Sequence, residues 1–391
     1  MSNSLVIAGG GIGGLAAALR CAQAGTPVRL FEQAAAFTEV GAGIQIGPNV
    51  TRILQAWGLE SALRAVAAYP AQLQVRQADS GRTTGQLRWG AQALARYGAP
   101  YATVHRADLH QLLLNAARAQ ERISLHLDQG VTAYTAEADG VQVQLADGAV
   151  LRAQALVGAD GLWSRVRAQL LGDAPPRFSG HLAYRALLPQ ADLPAALRSQ
   201  NVTVWMGPRL HVVQYPVRRG ELMNLVAIVH GAAPADMASW DHAANAAQLQ
   251  QALGAVCADL QALLDAVPAW RLWPLCDRPA MRSAAEHAQG RVALLGDAAH
   301  PMRPYMAQGA GMAIEDADAL GQCLALPGRD VPAQLAHYAQ LRWQRNARVQ
   351  QRAIRNGHIF HAQGLLRWGR DLSTRLLGEG VLDVPWLYNG P

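Results

Sequence analysis

An apolar run of strand length, Leu5 to Ala8, leads directly into Gly9-x-Gly11-x-x-Gly14, and an Ala- and Leu-rich stretch follows to Ala24 before Gly25. This order predicts a buried strand, a tight glycine turn and a helix. Such a unit presents backbone N–H groups and the positive end of a helix to a pyrophosphate, with no side chains in the way. A second strand over Val28 to Phe31 ends at Glu32, the position from which an acidic side chain hydrogen-bonds ribose hydroxyls in a βαβ nucleotide half. A chance cluster of glycines would not bring flanking strands, a helix and Glu32 with it. The start of the chain is therefore committed to a parallel sheet that binds a dinucleotide.

At 391 residues the chain exceeds one small core, so about two or three packed units are expected. No apolar stretch reaches the roughly 18 to 20 residues of a membrane span. The first strand begins almost at once, leaving no room for a signal or transit peptide, and the expected location is cytoplasmic. The net charge of +6 is scattered, with no basic run beyond pairs such as Arg218-Arg219, which reads as a solvated surface and anion contacts, not a nucleic-acid face. All 34 basic residues are Arg. That excludes a Schiff-base lysine, a P-loop lysine and a lysine general base, and leaves bound carboxylates or phosphates to Arg, His, Tyr, Gln or backbone amides. Cys21, Cys257, Cys276 and Cys323 lie far apart with no CxxC pair, so neither a disulfide framework nor a metal site is expected.

Further along, Ile123 to Leu127 and Val141 to Leu145 alternate as strands, with turns at Asp139-Gly140 and Asp147-Gly148. Ala155 to Val157 reads as a buried strand entering Gly158-Ala159-Asp160-Gly161. Strand-like runs over Val202 to Met206, His211 to Pro216 and Leu222 to Val229 suggest a second, mostly antiparallel sheet. Asn245 to Leu264 has helical patterning, Arg291 to Leu295 is another buried strand, and helices are expected over Met312 to Leu326 and about Pro332 to Gly357, the latter with an Arg-rich face. The fold class is α/β: a discontinuous Rossmann-like nucleotide domain (1–75, 100–177 and 278–330), an inserted mostly antiparallel substrate sheet (76–99 and 178–277) and a C-terminal helical segment (331–391).

Three glycine-rich signatures recur in a fixed order: Gly9 to Gly14, Gly158-Ala159-Asp160-Gly161-Leu162-Trp163-Ser164-Arg165-Val166-Arg167, and Leu295-Gly296-Asp297-Ala298-Ala299-His300-Pro301. With Gly41 to Asn49, His105 to Leu109, Tyr184-Arg185, Pro304 to Asp316 and the ending Trp386-Leu387-Tyr388, the trio resembles the single-component FAD-dependent aromatic hydroxylases. This group includes the para-hydroxybenzoate, salicylate, 3-hydroxybenzoate and 6-hydroxynicotinate hydroxylases. The resemblance covers nearly the whole chain and implies FAD contacts at Gly9, Gly11, Ile12, Gly13, Gly14, Glu32, Gln33, Gly43, Ile44, Arg106, Asp160, Asp297, Gly309 and Ala310. In it Asp297 approaches the ribityl chain and pyrophosphate, Arg106 lies near the phosphates, and the helix opened by Pro304 to Gly311 turns its N-terminal amides to the flavin ring. The resemblance also implies that Asp160 and Arg167 serve FAD packing and the reduced nicotinamide, although an Asp after a strand is also a common helix cap. A single fingerprint and the absence of a redox cysteine pair separate the chain from reductases with two nucleotide domains.

The resemblance implies that NADH or NADPH reduces FAD, that O2 is captured as a flavin hydroperoxide, and that one oxygen passes to an electron-rich ring. A phenol reacts faster as its phenolate, so a group that takes its proton is needed. Alternation puts His211, Val213 and Tyr215 on one strand face. By resemblance His211 and Tyr215 contact the substrate, and His211, with an ordinary pKa of about 6.5 against about 10 for tyrosine, is the better base. The bland reading, two half-buried strand residues with satisfied hydrogen bonds, stands beside it. Gln45 and Tyr305 bear on the substrate: Gln45 follows the 3-hydroxybenzoate pattern, while Met302-Arg303-Pro304 and Met306 to Ala310 follow the hydroxynicotinate one. The expected substrate is a small phenolic or hydroxypyridine carboxylic acid. A bulkier aromatic or quinone precursor and a non-catalytic nucleotide-binding protein are the alternatives, and a homodimer is left open.

Overall fold

A computed structural model describes residues 4–37, 42–237, 242–244 and 246–391. Gly41 and Asn245, named above, lie outside the described residues. The chain forms two compact units, each assembled from separated stretches of sequence: Met1–Val40, Ala107–Arg177 and Asp277–Ala353 in the first, and Gly41–Arg106, Phe178–Cys276 and Ile354–Pro391 in the second.

The first unit is built on a six-stranded sheet in the order Ala288–Gln289, Val292–Leu294, Ala155–Gly158, Leu5–Ala8, Val28–Phe31, Ile123–His126. Leu5–Ala8 pairs in parallel with strands on both sides, which explains why it is apolar throughout and fully buried. The helix Ile12–Gln23 follows it, and packs against the helix Gly309–Leu324. A three-stranded antiparallel sheet over Val131–Ala136, Val141–Leu145 and Val150–Ala153 lies on the same unit, its alternating residues Val141, Val143 and Leu145 buried.

The second unit is built on an eight-stranded sheet in the order His242–Ala244, Trp270–Asp277, Arg177–Pro189, Leu222–His230, Leu210–Val217, Val202–Gly207, Gln72–Gln77, Thr83–Arg88. One face buries Leu210, Val212, Met223 and Leu225 together with Leu249, Leu253, Leu260 and Leu263 of the helices Ala246–Leu253 and Ala258–Asp265. The other face carries His211, Val213 and Tyr215, with Val213 packed among Val204, Met206, Phe360 and Leu382. A two-stranded ribbon, Gly43–Ile46 with Ala102–His105, belongs to this unit.

The division departs from the expected one. Residues 42–75 and 100–106, assigned to the nucleotide domain, pack with the eight-stranded sheet, because Gln72–Gln77 is one of its strands and the ribbon is bonded to its residues. The C-terminal segment is likewise shared, since the helix Val331–Phe360 crosses the boundary between the units. The single helix expected over residues 245–264 is two, interrupted at residues 254–257.

Candidate active site

The glycine turn of the first unit has room for nothing larger. Gly9 sits at φ +103°, a Cβ there would stand 2.4 Å from the Ala159 carbonyl oxygen, and one on Gly14 would stand 1.9 Å from the Gly9 oxygen. The helix that follows starts at Gly11 with no side-chain cap and no acidic residue in its first turn, so its first amides are not taken by side chains. Glu32 accepts from the backbone N–H of Gly10 at 2.6 Å and of Ala34 at 2.8 Å. A carboxylate has about four acceptor positions, which leaves capacity for ribose hydroxyls. A cradle closed to side chains, an uncapped helix end and a fixed carboxylate fit a dinucleotide.

The other two signatures meet in the same unit. Asp160 accepts from the Ser164 hydroxyl and from the N–H groups of Arg165 at 2.8 Å and Val166 at 3.2 Å, so it holds the start of the helix Arg165–Leu171, and burial raises its pKa. Arg167 is buried, pairs with Asp173 at 2.7 Å, and donates to the carbonyls of Ala298 and Ala299 in the late signature. Asp297 stands on the turn Gly296–Ala298, its Oδ1 4.0 Å from the Cβ position of Gly309, where the uncapped helix Gly309–Leu324 begins. Tyr305 is buried in this unit and its phenol pKa is pushed up by that burial.

A buried charge network beneath this loop was not read from the sequence. Asp316 accepts from His300 Nε2, from Arg342 Nε at 2.7 Å, from Asn346 at 2.9 Å and from the Gly296 N–H at 3.2 Å. Glu315 pairs with Arg342 at 2.9 Å and Arg345 at 2.7 Å. Burial alone would raise the Asp316 pKa; His300 and Arg342 instead hold it far below the ordinary carboxylate range.

In the second unit, Tyr215 and Gly43 are brought together. The Tyr215 hydroxyl donates to the Gly43 oxygen at 2.6 Å, and the Gly43 N–H donates to Asn224 Oδ1 at 2.7 Å. Gln45, two residues along the ribbon, accepts from the Tyr101 hydroxyl at 2.8 Å, and Tyr101 stacks on Trp89 with centroids 3.8 Å apart. Ile44 and Arg106 also belong to this unit, and the Arg106 N–H donates to the Ala42 carbonyl at 2.8 Å.

Arg185 is the unassigned cation of this face. Its guanidinium lies 3.9 Å from the Trp273 ring centroid, and its Nε, sealed from solvent, has no hydrogen-bond partner among the described residues. Burial lowers its pKa to about 10, Tyr215 partly offsets that, and Arg106 adds like charge. A half-buried guanidinium with a sealed Nε against an aromatic ring, with a second Arg nearby, is suited to pairing with a carboxylate.

His211 shares the face of Tyr215, as alternation requires, but it is enclosed: its Nδ1 lies 2.8 Å from His361 Nε2. Burial, then His181, lowers its pKa to about 3, so the argument from the ordinary histidine value does not apply to it. His181, His230 and His361 bring nitrogen atoms within 4.8 Å of one another, a donor set suited to a metal ion that sequence reading did not anticipate.

A family profile described as FAD binding domain matches residues 2–353. The 3-hydroxybenzoate 6-hydroxylase of Polaromonas naphthalenivorans is 36% identical over 386 residues, covering 98% of this chain and 95% of that protein. The 6-hydroxynicotinate 3-monooxygenase of Bordetella bronchiseptica is 36% identical over 354 residues, covering 88% and 89%. Among solved structures, a salicylate hydroxylase substrate complex aligns with a TM-score of 0.83 at 27% identity, over 99% of this chain and 95% of that one.

Proposed function

The chain belongs to the FAD binding domain family and is an FAD-dependent aromatic hydroxylase, and from that premise we propose that it hydroxylates a small phenolic or hydroxypyridine carboxylic acid with NADH or NADPH and O2. 3-Hydroxybenzoate and 6-hydroxynicotinate head the candidates, since relatives named for them match most of the chain.

The observation that carries the choice of an acid is Arg185, a half-buried cation with a sealed, unsatisfied Nε beside Tyr215 and stacked on Trp273. A sealed guanidinium N–H without an acceptor is costly, and a bound carboxylate would relieve that cost. In this reading Arg185 takes the acid group, the aromatic side chains receive the ring, Tyr215 is held by Gly43 to orient the phenol, and His211 accepts the phenolic proton. Gln45 and Tyr305 are kept as further substrate contacts that tune which ring is taken. Glu32, Asp297 and the turn from Gly9 to Gly14 hold FAD, which when bound supplies reduction by nicotinamide and activation of O2. Reduced nicotinamide is a cytoplasmic currency, so we place the reaction there. A homodimer, left open by the sequence, is decided by the mass of the protein in solution.

The test is NAD(P)H oxidation with product analysis over a panel of 3-hydroxybenzoate, 6-hydroxynicotinate, salicylate and 4-hydroxybenzoate. One of these should accelerate oxidation and return a hydroxylated product. Arg185→Gln should raise KM for that acid by about 10- to 100-fold, the worth of a charge-assisted hydrogen bond, and leave the uncarboxylated phenol unaffected. An equal change for both compounds would remove the acid-binding role. Stimulation by none of the four would favour a bulkier aromatic.

A further inference from the structure

His181, His230 and His361 of the second unit reach a common point from two strands and the end of a helix. His181 is the register partner of His230 on the neighbouring antiparallel strands Arg177–Pro189 and Leu222–His230, so the two imidazoles share a sheet face. His361 follows the helix Val331–Phe360 and faces both, its ring centroid 5.1 Å from that of His181 and 5.0 Å from that of His230. The rings meet at 64°, 70° and 47°, and none lies flat on another. One donor nitrogen from each falls within 4.8 Å of the other two, and His361 Nδ1 is 3.0 Å from His230 Nε2. A tetrahedral ion with metal–nitrogen bonds of about 2.0 to 2.1 Å needs about 3.3 Å between its ligand nitrogens. The spacings in this trio bracket that value, so small side-chain rotations would complete the set.

We propose that His181, His230 and His361 bind one divalent ion of the zinc class, with water as the fourth ligand on the side of half-buried His230. The ion fastens the segment that begins at His361 to the two strands carrying His181 and His230. No pair of these ligands is close in sequence, His230 and His361 being 131 residues apart, so the site has no ligand-spacing motif to announce it.

The surroundings hold the ligands in place. Arg370 donates to the carbonyls of Ile359 at 3.2 Å and Phe360 at 2.8 Å, directly before His361, and the Arg209 N–H donates to the His361 carbonyl at 3.4 Å. A metal-bound histidine ordinarily has a hydrogen-bond partner on its other ring nitrogen, which fixes the orientation of the ring. His361 has one in His211, whose Nδ1 lies 2.8 Å from His361 Nε2. His181 and His361 are buried and His230 is half-buried, so one side of the trio is left for a water. The donor set contains no carboxylate. The cations that act on the rings are Arg209 and Arg370, and Arg370 is paired with Asp371 at 2.8 Å. Three neutral imidazoles without an anionic oxygen select a borderline ion such as Zn2+ and reject Mg2+ and Ca2+, which require oxygen ligands.

The experiment titrates Zn2+ against a competing fluorescent chelator into FAD-loaded, full-length protein without a polyhistidine tag, after dialysis against a chelator. One Zn2+ per chain should bind, with a dissociation constant of about 1 μM or tighter. Zinc X-ray absorption of that complex should show three imidazole nitrogens at about 2.0 to 2.1 Å. His361→Gln and His230→Gln should each weaken binding by more than about 100-fold, the upper end for loss of a mere outer partner, while His211→Gln, which reaches the ion only through His361, should weaken it by about 10- to 100-fold. His337→Gln, in the first unit, should change nothing. Zinc bound only at millimolar concentration would overturn the site and leave the trio as hydrogen-bonded imidazoles. Tight zinc with fewer than three imidazoles, or tight zinc unchanged in His361→Gln and His230→Gln, would place the ion elsewhere and overturn it as well. Should a variant lose its fold, the absorption spectrum of the wild-type complex still decides. Each readout is independent of hydroxylation, so the site and the proposed activity stand or fall separately.

Discussion

Gly14 shows how little freedom a nucleotide turn leaves at the scale of one residue. Its missing Cβ would sit 1.9 Å from a backbone oxygen, which cannot swing aside, whereas a Cβ on Gly10 would meet the ring edge of Phe37 at 2.5 Å, a side chain able to rotate. Gly14→Ala should therefore cost FAD retention, measured as flavin remaining after ultrafiltration, while Gly10→Ala should lose much less; equal retention in both would mean the turn is not the nucleotide cradle. Tyr215→Phe removes the donation to the Gly43 oxygen, at about 1 to 2 kcal/mol of stability. It should lower the fraction of NAD(P)H oxidation coupled to product and leave FAD bound, and release of flavin would mark Tyr215 as scaffold only. What the sequence showed of these residues follows from range. Alternation placed His211 and Tyr215 on one face because it acts over neighbouring positions. Their partners, His361 and Gly43, are 150 and 172 residues away, and no local pattern announces them.

At the scale of elements, the strands were the most legible parts. Leu5–Ala8, Val28–Phe31 and Val141–Leu145 end where period and turn residues place them, because a buried or half-buried strand must carry its pattern in its own sequence. The helix Val331–Phe360 was legible as a helix with an Arg-rich face, but the reason for that face was not. Arg342 and Arg345 lie opposite Glu315 and Asp316 of the helix Gly309–Leu324, and His300 completes the network from the loop between the late signature and that helix. Asp316→Asn should destabilise the protein by about 3 to 5 kcal/mol, since it leaves Arg342 buried without its counter-charge. The loss should be read from denaturant unfolding of the FAD-free protein, where cofactor binding cannot mask it. An unfolding midpoint close to wild type would mean that Glu315 alone neutralises Arg342.

For the whole molecule, fold class was readable because the three signatures and the alternation of strand and helix patterns are distributed along the entire chain, while the division into units was not. Residues 42–75 follow a nucleotide fingerprint in sequence yet contribute the strand Gln72–Gln77 to the eight-stranded sheet, and strand pairing leaves no mark on which sheet is chosen. One property nevertheless sums over both units. His287 in the first, and His211 and His361 in the second, are buried and neutral, with burial as the leading cause, at pKa values of about 3, 3 and 2. In the unfolded chain they would protonate near pH 6.5. Below that pH the unfolded state binds more protons than the native one, so stability must fall as pH falls. At pH 5.5 the penalty is about 1.4 kcal/mol for each fully neutral histidine, or about 4 kcal/mol for the three. Asp316 adds to this in a more acidic range, since a depressed carboxylate pKa protects stability until pH drops below about 4. Denaturant midpoints should thus decline between pH 7.5 and 5.5, and His361→Asn should flatten that decline. A profile level across this interval would show that the histidines protonate within the fold.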